Sequence, residues 1–280
     1  RAGAAHRRSA MRPVSSRDNP LVKHLHALAT SARERRKAGE TLLDGAHLIA
    51  AALDHGFPLK RVVFSDSAAQ RTEAADLLAR VSGNVDCVSL NDTLFAHVSP
   101  VDSPSGILAL IDIPAQAQDA AQVPTGNVVV LDGVQDPGNL GTILRTAAAA
   151  GVTDVLLTAG CAQAWSPKVL RAGMGAHFVV RIREHAEVLS VLRAFSGVKL
   201  ATALAPGARP LYELDLAAPV AWMFGAEGQG LSPALLQAAD ALLTIPMQEG
   251  IESLNVGAAA AICLFEQRRQ VLAARSSAAR

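Results

Sequence analysis

Three short segments carry residues whose types and spacing could do chemistry, and each directly follows an apolar run that reads as a buried strand. The first, "LDGVQDPGNLGTILRTAAAAG" (131–151), makes an Asp136-Pro137-Gly138 turn, then offers Asn139 and, six residues on, Arg145. Asn139 is a candidate cap for the next helix. Arg145 is expected one to two turns along that helix, toward the same end of the sheet. The second, "WMFGAEGQGLSP" (222–233), places Gly225, Gly228 and Gly230 around Glu227, so that backbone N–H and C=O groups lie open to a ligand. The third, "IPMQEGIESLNVGAAAA" (245–261), leads from a strand end into a loop with Glu249, Glu252, Ser253 and Asn255. Each segment alone has a plainer reading: a capped helix with a surface Arg, a flexible turn with a solvated Glu, and Ser253 as an N-cap.

The elements that must position these segments form an alternating series. Expected strands are "VVVLD" (128–132), "DVLLT" (154–158), "HFVVRI" (177–182), "VKLAT" (198–202), "VAWMF" (220–224) and "ALLTI" (241–245). Nearly continuous apolar runs of this kind suit a parallel sheet covered on both faces. In such sheets ligands bind at the carboxyl ends of the strands, where all three segments fall. The last helix, predicted from Leu254 to Leu272, is apolar almost all round and must be buried in the core or against another subunit.

Upstream, residues 1–15 read as a disordered tail. A helix is expected from Asn19-Pro20, with Leu21, Leu25 and Leu28 at helical spacing and Gly39 as its stop. Strand–helix alternation follows: "TLLD" before a helix at 46–55, "RVVF" (61–64) before 68–81, "VDCV" (85–88) before 92–98, and "GILALID" (106–112) to close the unit. The stretch 114–127, without hydrophobic period and with two prolines, reads as a linker. The expected organisation is a tail (1–15), a small α/β domain (16–113), the linker and a second α/β domain (128–280).

Composition bounds the rest. The 280 residues are half apolar, with 4 % aromatics and a formal charge of +1, a profile of a folded soluble protein. Ten of residues 1–40 are Arg or Lys against Asp18, Glu34 and Glu40; this is a footprint for a polyanion or, equally, a solvated helix face. Cys87, Cys161 and Cys263 have no metal-ligand spacing and read as reduced thiols of a cytoplasmic protein. The longest apolar run, Val256–Phe265, is too short to span a bilayer.

Taken together, Asn139-x5-Arg145, Phe224-Gly225-x-Glu227-x2-Gly230-Leu231-Ser232 and Ile245-Pro246-Met247-x5-Ser253-Leu254-Asn255 resemble the motifs of the SpoU (TrmH-type) branch of the SPOUT RNA methyltransferases. The resemblance is strong over 125–272. It is looser over the N-terminal part, where "SSRDNPLVKHLHAL" and "TLLDGAHLIAAAL" are similar to the family's small RNA-binding domain; Asp44 stands where many relatives carry Glu.

The resemblance implies an α/β domain with a parallel sheet and a trefoil knot, preceded by a small α/β RNA-binding domain, and usually a homodimer. It implies S-adenosylmethionine as cofactor, held at Gly225, Gly230, Ile245, Met247 and Leu254, and methyl transfer to a ribose 2′-hydroxyl of RNA. Large-subunit (23S) ribosomal RNA is favoured over transfer RNA by the separate N-terminal domain. Arg145 matches the family's proposed base, although a guanidinium is a poor proton acceptor; binding the adjacent phosphate and stabilising alkoxide charge is the alternative. Asn139, Glu227, Ser253 and Asn255 would support it. A Rossmann enzyme is disfavoured because Gly138 and Gly141 do not make GxGxxG. A non-catalytic RNA-binding relative would show a degraded second or third motif, and neither is degraded.

Overall fold

The structure is a computed structural model that describes residues 11–81, 83, 85–115 and 123–278. The chain divides into two compact units: the first runs to Pro114 and includes Trp165–Arg171, and the second takes the rest.

In the first unit the chain order is β1 (Arg12–Val14), α1 (Pro20–Thr30), α2 (Ala32–Ala38), β2 (Glu40–Asp44), α3 (Ala46–Asp54), β3 (Arg61–Ser65), α4 (Asp66–Ala69), α5 (Thr72–Arg80), β4 (Asp86–Leu90), α6 (Asp92–Val98) and β5 (Ile107–Asp112). The sheet order is β1-β4-β3-β5-β2, with β1, β4 and β3 parallel and β5 antiparallel to both its neighbours. Helix α1 buries Val22, Leu25 and Leu28 among Leu42, Val63, Val88 and Leu108 of the sheet.

Three expectations are corrected here. Residues 12–14 are not tail but an edge strand, paired to β4 through Arg12–Val88 and Val14–Leu90; residues 1–10 lie outside the described residues. The single helix expected up to Gly39 is two, because Ser31 takes an extended backbone, ending α1 and capping α2 by accepting a hydrogen bond from Glu34 N. Gly39 does stop α2, in the left-handed conformation that favours glycine. The helix expected over 68–81 is likewise split into α4 and α5. Half of the expected linker, 116–122, lies outside the described residues.

The second unit holds β6 (Val128–Asp132), α7 (Pro137–Ala150), β7 (Asp154–Leu157), α8 (Pro167–Gly173, partly in the first unit), β8 (Arg181–Arg183), α9 (Val188–Ala194), β9 (Val198–Thr202), β10 (Arg209–Pro210), β11 (Val220–Gly225), α10 (Pro233–Ala238), β12 (Ala241–Thr244) and α11 (Val256–Ala278). Its seven strands are all parallel, in the order β10-β12-β9-β11-β6-β7-β8. Strands β6, β7 and β11 are buried almost end to end, as their unbroken apolar runs required.

"HFVVRI" does not form one strand. Residues 176–178 make a 3-10 turn after Gly175, tied down by a hydrogen bond of 2.8 Å between the buried His177 ring and the Ala164 carbonyl, and only Arg181–Arg183 pair with β7. The final helix starts two residues later than expected and runs to Ala278. It buries Ala260, Cys263, Leu264 and Gln267 and packs on α7, while Phe265 and Leu272 stay about half exposed.

Candidate active site

The topology creates the site. From β6 the chain moves outward to β7 and β8, then crosses to β9, and β11 enters between β9 and β6. The crevice at such a switch point, beyond the carboxyl ends of the strands, is where ligands bind in open α/β sheets. A cavity of about 840 Å³ opens there, lined by the ends of β9, β11 and β12 and by the loops 225–230 and 245–255.

The loop after β11 is folded tightly on itself. Gly230 N donates to the Ala226 carbonyl at 2.9 Å, and a Cβ on Gly225 would lie 2.1 Å from the Gly230 carbonyl carbon. No side chain fits that approach. Asp132, the residue alongside Gly225 on β6, holds the other end of the loop: its carboxylate accepts from Ser232 N at 2.8 Å and from the Thr158 hydroxyl at 3.0 Å. One carboxylate thus ties the ends of β6 and β7 to the start of α10.

The three motifs meet at Glu227. Its Oε1 accepts from Asn139 Nδ2 and from Asn255 Nδ2, each at 2.9 Å, and Asn255 Nδ2 also reaches Asn139 Oδ1 at 2.9 Å. Asn255 meanwhile caps α11, its Oδ1 accepting from Gly257 N at 2.9 Å and Ala258 N at 3.2 Å. Residues 139, 227 and 255, far apart in the chain, therefore share one hydrogen-bonded hub at the cavity rim.

Several expected residues fall on the cavity wall: Gly225, Glu227, Gly230, Ile245, Met247, Ser253, Leu254 and Asn255 all line it. Two capping assignments change. Asp136, not Asn139, caps α7, because Pro137 occupies the first helical position and leaves the preceding residue to accept from Asn139 N at 2.7 Å. Asn255, not Ser253, caps α11.

Arg145 also departs from expectation. It is exposed, it does not line the cavity, and it makes no hydrogen bond or ion pair among the described residues. Six residues of helix carry it about 9 Å along α7 and to a different side from Asn139. Asp132 was missed, although an acidic residue closing a buried strand just before the first motif was a usable signal. Thr202, whose hydroxyl donates to the Met223 carbonyl at 3.0 Å beside the cavity, carried no such signal.

Burial sets the chemistry of three further groups of this unit, none of which lines the cavity. The Cys263 thiol in α11 is pushed up to about 12 by burial and is inert as a nucleophile. The Cys161 thiol, beside Thr158, is also raised, first by burial. His177 is lowered to about 4 by burial, against the opposing bond to Ala164, so it stays neutral at physiological pH.

Comparison with known proteins follows the same division. The model of the SpoU rRNA Methylase family matches residues 126–265, and that of the MRM3-like substrate binding domain matches 19–109. An uncharacterised tRNA/rRNA methyltransferase of Synechocystis is 34 % identical over 93 % of this chain and 95 % of its own length. The 23S rRNA (guanosine(2553)-2′-O)-methyltransferase RlmP of Bacillus subtilis is 34 % identical over 92 % of this chain and all of its own. Among solved structures, the AdoMet-bound rRNA methyltransferase of Sinorhizobium meliloti superposes with a TM-score of 0.79 at 31 % identity, covering 93 % of this chain and 98 % of that one. With motifs, topology and profile in agreement, the chain belongs to the SpoU rRNA methylase family.

Proposed function

We propose that the protein transfers a methyl group from S-adenosylmethionine to a ribose 2′-hydroxyl of 23S ribosomal RNA. The observation that carries this reading is the Asn139–Glu227–Asn255 hub, which gathers the three motif segments at the rim of one cavity. Support for the RNA target comes from the 23S-modifying relative of Bacillus subtilis and from the match of residues 19–109 to a substrate binding domain. The likeness to a bacterial 23S-modifying enzyme supports a cytoplasmic location as part of this proposal.

The residues present fit the cofactor. Ile245, Met247, Leu254 and Val256 offer apolar wall for a flat base, loop 225–230 offers open backbone groups, and Glu227 and Glu252 supply negative charge that suits a sulfonium. Gly225, Gly230, Ile245, Met247 and Leu254 would hold it. When bound, S-adenosylmethionine supplies a methyl group already activated for transfer. The protein's own task is then to align the ribose hydroxyl in line, exclude water and dispose of a proton.

Arg145 is suited to bind the neighbouring phosphate and stabilise charge developing on the ribose oxygen, not to accept the proton itself. Its absence from the cavity wall favours a homodimer in which it serves the cavity of the second copy. The half-exposed Phe265 and Leu272 of α11, and Met174 and Val179 beside the 176–178 turn, lie on or next to elements packed against α7 and offer apolar surface for that contact. The trefoil knot belongs to the same proposal; entry of β11 between two earlier-placed strands, and the return of loop 245–255 to Glu227, are what support it.

Two measurements test this. Mapping 2′-O-methylation in 23S ribosomal RNA with and without the protein should show one protein-dependent site; no gained site refutes the activity. Arg145→Ala should lose turnover while binding S-adenosylmethionine within a few-fold of wild type. Mixed and refolded with cofactor-blind Gly225→Val, it should regain part of the activity if Arg145 acts across the dimer. Failure to complement refutes that arrangement.

A further inference from the structure

One feature of the first unit is used neither by its core nor by the cavity. The rings of His26 on α1 and His97 on α6 stack at 4.0 Å between centroids and 10° between planes. His26 Nδ1 lies 2.8 Å from the His97 carbonyl, which can only accept, so Nδ1 carries the hydrogen. Neither the other nitrogen of His26 nor either nitrogen of His97 has a partner among the described residues. His97 is partly exposed, and since His26 covers one face of its ring, a base could stack only on the opposite face.

The charges around this stack are uneven. Lys23, one turn before His26, is paired with Asp18 at 2.9 Å. Arg17 has no acidic partner among the described residues. It lies close enough for its charge to act on the His97 ring, which is held below the usual imidazole range by desolvation, then by His26 and Arg17. A neutral flat ring beside an unpaired guanidinium is the pairing that unpaired nucleotides use: an aromatic face for the base and a fork of N–H donors for the phosphate.

We propose that His97, backed by His26 and flanked by Arg17, is a subsite for one unpaired nucleotide of the RNA substrate, with the base stacked on the His97 ring and the phosphate paired to Arg17. The proposal rests on the reading above only for RNA as the ligand. It gives the first unit a specific contact beyond the diffuse charge of Arg33, Arg36 and Lys37, which are exposed and unpaired among the described residues.

Filter binding with a radiolabelled, unmodified 23S ribosomal RNA transcript tests it on the full chain. His97→Ala should weaken binding about tenfold, whereas His97→Phe, which keeps a stacking face, should stay within about threefold of wild type. Arg17→Ala should reduce the slope of log K against log salt by about one. Melting temperature and S-adenosylmethionine affinity should be unchanged in all three. Wild-type affinity in His97→Ala, or equal losses in the Ala and Phe variants, would overturn the subsite. Methyl transfer to the same transcript by wild type is read separately: its absence, with His97-dependent binding intact, would refute the activity and leave the subsite standing.

Discussion

Gly225→Ala is the smallest change that tests how the cavity is built. The added Cβ would sit 2.1 Å from the Gly230 carbonyl carbon and 2.3 Å from Leu231 N, where ordinary contact begins at 3.4 Å. Both neighbours are backbone, so relief requires the 230–231 segment to move outward by more than an ångström. Two hydrogen bonds oppose that movement: Gly230 N to Ala226 O, and Ser232 N to the Asp132 carboxylate. A neutral bond contributes about 1 kcal/mol and one to a charged group about 2 kcal/mol, so displacing the loop costs about 3 kcal/mol. If the cofactor binds only the undistorted loop, that cost appears in its affinity as a factor of about 100. Isothermal titration with S-adenosylmethionine measures this directly, with a thermal melt alongside to show that the domain remains folded. Binding within threefold of wild type would refute both the tightness of the loop and its place in the cofactor site.

Asp132→Ala removes two bonds without adding bulk and should weaken S-adenosylmethionine binding about thirtyfold, corresponding to the charge-assisted bond to Ser232 N; equal affinity in a titration would show that the loop does not depend on this carboxylate. Glu227→Ala and Asn255→Ala should be non-additive, with a coupling of about 1 kcal/mol in a double-mutant cycle on cofactor affinity; strict additivity would dissolve the hub. His177 gives a pH signature. Unfolded, it titrates near 6.5 and, folded, only at about 4, so the unfolded state holds more protons between these values. Stability is therefore full above pH 6.5 and falls as the pH drops toward 4, by up to about 3 kcal/mol. Urea melts from pH 7 to 4.5 should show a shallower decline in His177→Phe than in wild type, and parallel declines would refute the assignment.

How far the sequence reaches can be judged residue by residue. Buried strands announce themselves as apolar runs, and each motif was legible because Gly, Asn, Glu or Ser stands directly after one. Even the correct cap of α7 was within reach, since Pro137 at the first helical position leaves Asp136 as the cap. The 177–182 run was beyond reach by periodicity: a buried His177 bonded to a carbonyl thirteen residues earlier overrides its apolar pattern. Ser31 shows a similar limit, because breaking a helix and capping the next look alike until the backbone is seen. Strand order was never legible. No local signal states that β11 lies between β9 and β6, and without that order Asp132 has no visible connection to Ser232, a hundred residues away.

That order also explains why the site residues divide as they do. Loops that end on neighbouring strands are drawn together by the sheet, and a few polar side chains suffice to lock them: Asp132 across β6, β7 and the turn into α10, and Glu227 across α7 and α11. These groups depend on one another, so damage to any one is felt throughout the cavity. Arg145 stands apart, down the body of α7, tied to none of them. In the proposed role, acting only on the substrate's phosphate and ribose, Arg145 gains from this separation. It can be carried on a rigid helix without entering the cofactor cavity, where it would meet Glu227 and be neutralised. Cofactor affinity and turnover should therefore respond to different residues, the first to the loops and the second to Arg145.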